Sequence, residues 1–245
     1  KDVPGITYPG GDNAALPPNE ALDDLPLPST SYATFDLSQY ALAEGHAPGG
    51  LVSSRGCPAR CTFCANYVTG RAFRFRSAPN VIAEMVELRE RFGICHFPFW
   101  DDAFTAQRRR LNDLCDAMVA EPSLKGVTWS CITPGNMVQP FDLARMRRAG
   151  CVAINFGIES GDYNILKVIQ KGQRPEKVKA AVSAAKAEGM TTIVNFMFGF
   201  PEEGVAELRN TLGLMEELSH STDFFNNRGV LVPFPGTKIY DRWRD

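Results

Sequence analysis

The sequence contains no apolar run long enough to cross a bilayer and no amino-terminal secretion signal, so its 245 residues read as a soluble, cytoplasmic chain. Net charge is also scarce. The 26 Lys and Arg against 28 Asp and Glu leave −2, and no broad basic surface points to a nucleic-acid partner. The local run Arg108-Arg109-Arg110 reads as a solvated helix face, and Arg74 and Arg76 as ordinary surface arginines. Paired cysteines are missing too. Of the seven cysteines, an odd number, Cys95, Cys115, Cys131 and Cys151 show no pairing pattern, which suits a reducing cytosol and small buried thiols. There are no solenoid repeats, and no low-complexity tract beyond a proline-rich opening. What remains is a globular chain, 44% hydrophobic, able to bury a sizeable core. It starts at Lys1 rather than a methionine and stops at Asp245 just after an expected strand and loop, so it reads as a piece of a longer protein.

What is present is the stretch Ser53-Ser54-Arg55-Gly56-Cys57-Pro58-Ala59-Arg60-Cys61-Thr62-Phe63-Cys64, with three cysteines at the spacing C-x3-C-x2-C. Three thiolates so close can converge on one metal centre. A closed zinc site wants four ligands and mirrored C-x2-4-C pairs, which the sequence does not offer. An iron–sulfur cubane has four irons, so three cysteine ligands leave one iron open for a non-protein ligand and for chemistry.

With Phe63 just before the last cysteine and an apolar strand ahead of the first, this stretch resembles the cluster motif of the radical S-adenosylmethionine (SAM) superfamily. The resemblance implies a 4Fe-4S cluster on Cys57, Cys61 and Cys64, its open iron chelated by the amino and carboxylate groups of SAM. It implies an external electron donor such as flavodoxin or ferredoxin, whose electron cleaves the sulfonium to methionine and a 5′-deoxyadenosyl radical. Upstream, Gly5-Ile6-Thr7-Tyr8 and Leu22-Asp23-Asp24-Leu25-Pro26-Leu27-Pro28 look like the linker before the barrel in cobalamin-binding members. That implies cobalamin held mainly by a domain outside this chain. Residues 1–50 are then a linker whose Tyr32, Phe35, Leu37 and Tyr40 lie on something, and residues 51–245 the core barrel. Glu44-Gly45-His46-Ala47-Pro48-Gly49 is close to the cobalt-ligating D-x-H-x-x-G pattern. The residues before it are too few and too proline-rich for a doubly wound domain, so His46 reads as a loop histidine.

From Leu51 onward strands and helices alternate. Strands are expected at 51–54, 96–100, 127–132, 152–156, 191–198 and 224–232. Helices are expected at 78–92, 106–120, 141–149, 164–169, 175–188 and 205–219. Six strands joined by crossovers of this length imply a parallel sheet with right-handed connections, an open (β/α)6 partial TIM barrel of the α/β class. That count matches the radical SAM architecture.

Functional groups in such barrels gather at the carboxyl ends of strands. Asp101 and Asp102 end the second strand, where the family binds the SAM amino group, and one of the two is expected merely to cap the next helix. Gly157, Glu159 and Ser160 lie in Gly-Ile-Glu-Ser-Gly after the fourth strand. By resemblance Glu159 and Ser160 contact the ribose or methionine end of SAM. Asn195, Met197, Phe198 and Gly199 resemble the family's G-x-I-x-G-x-x-E adenine motif, which Glu202 ends, with Asn195 in place of the first glycine. Val232-Pro233-Phe234-Pro235-Gly236-Thr237 reads as a turn shaping the lateral opening. Cys131 is a conceivable hydrogen donor but reads as core. The resemblance implies an enzyme acting on a small molecule, either a cobalamin-dependent methyltransferase or a cyclase-type enzyme. The alternatives are a methylthiotransferase acting on transfer RNA and a non-catalytic metal-binding module of the same fold.

Overall fold

Helix boundaries follow local chemistry. In the first long helix Ser77 accepts a hydrogen bond from the Asn80 N–H, Pro79 occupies the first turn, and Gly93 closes the end in a left-handed conformation (φ 68°). This computed structural model describes residues 7–8, 11–14, 18–36 and 50–244. His46, Leu37 and Tyr40 lie outside the described residues, as do Gly5 and Ile6 of the run Gly5–Tyr8.

Two short antiparallel ribbons precede the main sheet: β1 (Thr7–Tyr8) with β2 (Gly11–Asp12), and β3 (Ser54–Arg55) with β4 (Arg74–Phe75). The main sheet is wholly parallel, with neighbours in chain order: β5 (His96–Phe99), β6 (Thr128–Pro134), β7 (Cys151–Glu159), β8 (Thr191–Phe198) and β9 (Phe224–Val230). The helices are α1 (Ala78–Phe92), α2 (Arg108–Ala120), α3 (Pro140–Arg148), α4 (Tyr163–Val168), α5 (Pro175–Ala187), α6 (Val205–Leu218) and α7 (Lys238–Trp243). Among the described residues no helix is long and apolar enough to cross a membrane.

The expected half-barrel is present, and its first strand is the one departure. Leu51 forms a single parallel bridge with Phe99, through Leu51 N–H to Pro98 O and Trp100 N–H to Leu51 O, each 2.8 Å. Beyond it Ser53 and Ser54 turn away to bind Asp101, and Ser54–Arg55 pairs with Arg74–Phe75 instead. The sheet therefore has five strands plus one bridge. The chain also does not end on a loop, because Thr237 caps the Tyr240 N–H and starts α7.

Alternation along the strands separates two faces. Trp129, Ile154, Phe156, Val194 and Phe196 point to the helices and are at most 1% exposed. Each such side chain contributes about 1.5–3 kcal/mol of burial energy. Cys131 is buried among them, as core. Ser130, Asn155, Gly157, Asn195 and Met197 face the opposite way and are half-buried.

Two arginine expectations are corrected. Arg74 and Arg76 are 8% and 6% exposed. Arg76 pairs with buried Glu84, and Arg74 donates to Asn19 O and Thr69 O. Of the arginine run, Arg108 is exposed and lies over Phe141, whereas Arg110 is 4% exposed and donates to Phe104 O and Asp101. Of the opening segment, the stretch Pro28–Thr34 rests on α1: Ser29 N–H donates to Glu84, and Tyr32 packs 5.9 Å from Phe92, whereas Phe35, expected to pack as well, is 54% exposed.

Candidate functional site

The cysteine loop is held by backbone geometry from both ends. Gly56 adopts φ +87°, and a Cβ there would lie 2.2 Å from Ala72 O, so only glycine fits beside Cys57. Cys57 N–H donates to Gly70 O, and Asn66 ties its side-chain amide to Ala59 O. Thr62 N–H donates to Ile169 O at the end of α4, and Ile239 N–H of α7 donates to Thr62 O. Phe63 packs with Met197 and Leu231 on a small apolar cluster of Ile165, Leu166, Ile169, Phe200 and Ile239. Phe63 thus anchors the loop on the carboxyl edge of the sheet. Tyr67 Oη donates to Pro235 O, which joins the loop to the proline-glycine-threonine turn.

The three thiols lie within electrostatic reach of one another, and each is pushed above its ordinary value. For all three the leading cause is burial, with neighbouring thiol charges adding to it at Cys57 and Cys61 and the Asp102 and Glu159 carboxylates at Cys64, and Cys61 is pushed up to about 11. Lys171 and Asp102 act on the same thiols, Lys171 on all three and Asp102 on Cys57 and Cys64. Among the described residues no three His, Cys, Asp or Glu side chains are gathered as a single-ion site. A three-thiol set with a cation beside it fits a polynuclear cluster, in which each sulfur binds a different iron and the whole is anionic.

Lys171 is the residue that motif reading missed. Helix α4 ends in a Schellman turn: Lys171 N–H donates to Leu166 O, and Gln170 N–H to Lys167 O, with Gln170 in the left-handed region (φ 54°). The turn sends the Lys171 side chain inward, where Nζ lies 2.7 Å from Glu159 Oε1 and 5.9 Å from the Phe63 ring centre. Burial pulls the ammonium down, but Glu159 and the cysteine charges together outweigh it and its pKa is raised. The available signal was a lysine just past a short helix that follows Gly-Ile-Glu-Ser-Gly.

The expected ligand residues separate by placement. Glu159 ends β7 after a register shift and holds φ 72°, an uncommon conformation for a residue with a side chain. Gly157 makes room for the pair, since a Cβ there would lie 3.0 Å from Glu159 Oε1 and 3.2 Å from Lys171 Nζ. Asp102 is exposed and accepts from Gly56 N–H and Thr69 Oγ1. Asp101 is 2% exposed and accepts from Ser53 N–H, Ser53 Oγ, Ser54 Oγ and Arg110, so its carboxylate is committed inside the fold. Ser160 is fully buried, hydrogen-bonded to Thr211 Oγ1 and accepting from Asp162 N–H, and it ties β7 to α6.

Asn195 spans three strands, donating to Asn155 Oδ1 and Phe156 O and accepting from Asn226. Met197 packs on the apolar cluster behind the cysteine loop, and Phe198 on the main core. Gly199 is exposed at φ +83°, and its N–H donates to Glu203, not to Glu202, at 2.7 Å.

A three-thiol loop on the carboxyl edge of an open parallel half-barrel, backed by a buried ion pair, defines a cluster-binding α/β scaffold. The chain belongs to the radical SAM superfamily, whose family model matches residues 51–215. Membership brings with it a 4Fe-4S cluster and SAM. An uncharacterized methyltransferase of Pyrococcus horikoshii is 30% identical over 246 residues, 98% of this chain and 52% of that protein. The cytidylyl-2-hydroxyethylphosphonate methyltransferase of Streptomyces wedmorensis is 30% identical over 222 residues, 83% of this chain and 40% of that one. The chain thus spans about half or less of these relatives' lengths. In fold it is similar to the radical SAM methyltransferase TsrM from Kitasatospora setae, solved with cobalamin and a cluster bound. The TM-score is 0.70 at 23% identity, over 78% of this chain and 35% of that one.

Proposed function

We propose that the chain is the radical-generating core of a cobalamin-dependent methyltransferase acting on a small molecule. The observation that carries the reading is the Cys57, Cys61 and Cys64 loop set against the buried Lys171–Glu159 pair. The two relatives at 30% identity, both named methyltransferases, support the reaction type.

Bound here, SAM supplies a transferable methyl group and, on one-electron reduction, a reactive carbon radical. The protein's part is to hold and shield. Cys57, Cys61 and Cys64 hold the cluster, and Lys171 sets a buried positive charge beside those anionic thiolates. Glu159, fixed by Lys171, offers a carboxylate to the hydroxyls or ammonium of the ligand. Asp102 offers a second, while Gly157 and Gly199 allow close backbone approach. A corrinoid is supplied mainly by a domain outside this chain, with residues 1–50 as the linker to it, and the electron comes from an external one-electron carrier.

The test is anaerobic cluster reconstitution of the full-length protein, reduction with SAM present, and analysis for 5′-deoxyadenosine and S-adenosylhomocysteine. Both products together with a corrinoid spectrum support methyl transfer. 5′-Deoxyadenosine alone favours the ring-forming alternative, and uptake of zinc without iron rejects the reading.

A further inference from the structure

Pro58, Ala59 and Arg60, the residues between the first two cluster cysteines, form one wall of a surface cavity of about 620 Å³. Lys167 and the turn from Gln170 to Arg174 form another. A neighbouring cavity of about 370 Å³ shares Asn136, Gly172, Gln173 and Arg174 and carries the groove on to Lys177. No Asp or Glu lines either cavity.

Arg60, Lys167, Arg174 and Lys177 are exposed and make no ion pair among the described residues. Lys238 adds a fifth cation at the rim, 3.3 Å from Gln170 Oε1. On other faces Arg145, Lys179 and Lys186 each meet a carboxylate. Clustered exposed cations without counter-charge describe half of an interface.

We infer that this groove docks a small acidic one-electron carrier protein of the flavin or iron–sulfur type. The inference rests on the radical SAM reading, in which electrons must arrive singly from outside. The carrier's carboxylates meet Arg60, Lys167, Arg174 and Lys177, and its reduced cofactor comes to rest against the wall that holds the cluster. One electron leaves the carrier and enters the iron–sulfur centre. The carrier is oxidised by one electron, and no bond forms or breaks in that step. A nucleic acid fits the groove less well, because the aromatic ring lining it, Tyr163, is already covered by Arg174 at 5.1 Å.

The test uses full-length holoenzyme with flavodoxin or ferredoxin, each chemically reduced. Lys167→Glu/Arg174→Glu is compared with Arg147→Glu/Arg148→Glu, which changes net charge equally on exposed positions of α3. Carrier affinity is measured by titration at low and moderate salt, and 5′-deoxyadenosine formation is followed with carrier or with dithionite. The groove variant is expected to weaken carrier binding about tenfold or more and to slow carrier-driven cleavage in proportion, with dithionite-driven cleavage unchanged. The control pair should change neither. Unaltered carrier binding in the groove variant, no binding of either carrier to wild type, or equal loss of carrier- and dithionite-driven cleavage overturns the proposal. So does transfer RNA binding that the groove variant abolishes while carrier binding persists. If wild type cleaves no SAM with dithionite, the functional reading fails, and the titration still decides the docking surface.

Discussion

Lys171 Nζ donates to Glu159 Oε1 at 2.7 Å, with the two side chains only 7% and 11% exposed. Neither ion has water to fall back on, so removing one strands the other. Lys171→Met or Glu159→Gln alone should cost about 3–5 kcal/mol. The double variant should be closer to wild type than the sum of the singles, which denaturant unfolding of all four proteins would reveal. Additive losses would mean that the two groups do not stabilise one another.

Gly56 and Gly70 share nearly the same backbone, φ +87° and +85°, but not the same surroundings. An alanine Cβ at Gly56 collides with Ala72 O, while at Gly70 it meets nothing within 4 Å. Gly70→Ala should therefore show conformational strain alone, about 1 kcal/mol. Gly56→Ala should cost more and also displace Cys57, lowering iron bound per chain after anaerobic reconstitution. Equal iron content in the two variants would contradict this account of the loop.

Asp101 and Asp102 are neighbours in sequence with opposite fates. Asp101→Asn removes charge from a buried network with Arg110 and two serines, and should destabilise the fold by about 3 kcal/mol. Asp102→Asn, on an exposed carboxylate bound to Gly56 N–H and Thr69, should cost under about 1 kcal/mol. Its effect should appear as weaker SAM binding by the loaded protein. Thermal unfolding and SAM titration separate the two outcomes.

Much of this molecule was readable from residue order because the signals were local. The cysteine spacing, Pro79 and Gly93 at the two ends of α1 and the period of the long strands are short-range properties. What escaped were tertiary partnerships. Nothing near Arg76 in sequence announces that Glu84 is buried with it, nor does Arg110 declare its distant partner Ser53. Lys171 acquires its role only when the turn after α4 folds back on β7. The first strand shrank to one bridge because Asp101 gathers the serines that would have continued it. Asn195 fits the adenine motif by position, yet its amide is committed to Asn155 and Asn226 on adjacent strands.

Asp223 gives a pH-dependent prediction away from the site. Its carboxylate accepts from Lys186 on α5 and from Thr192 N–H on β8, and these bonds hold its pKa below the usual carboxylate range. A depressed folded-state value means that the unfolded chain takes up a proton first as pH falls. The stabilisation is complete above the unfolded value, near pH 4, and disappears as pH drops through the lower folded one. Because the side chain is 28% exposed, solvent screening limits the gain to about 0.5–1 kcal/mol. Asp223→Asn should lower stability by about that amount at pH 7 and leave it unchanged once pH has fallen below the folded-state value, flattening the acid limb of a stability-against-pH curve. A deficit that stays the same size down the whole acid limb would show that packing, and not the ionised carboxylate, joins α5 to the start of β8.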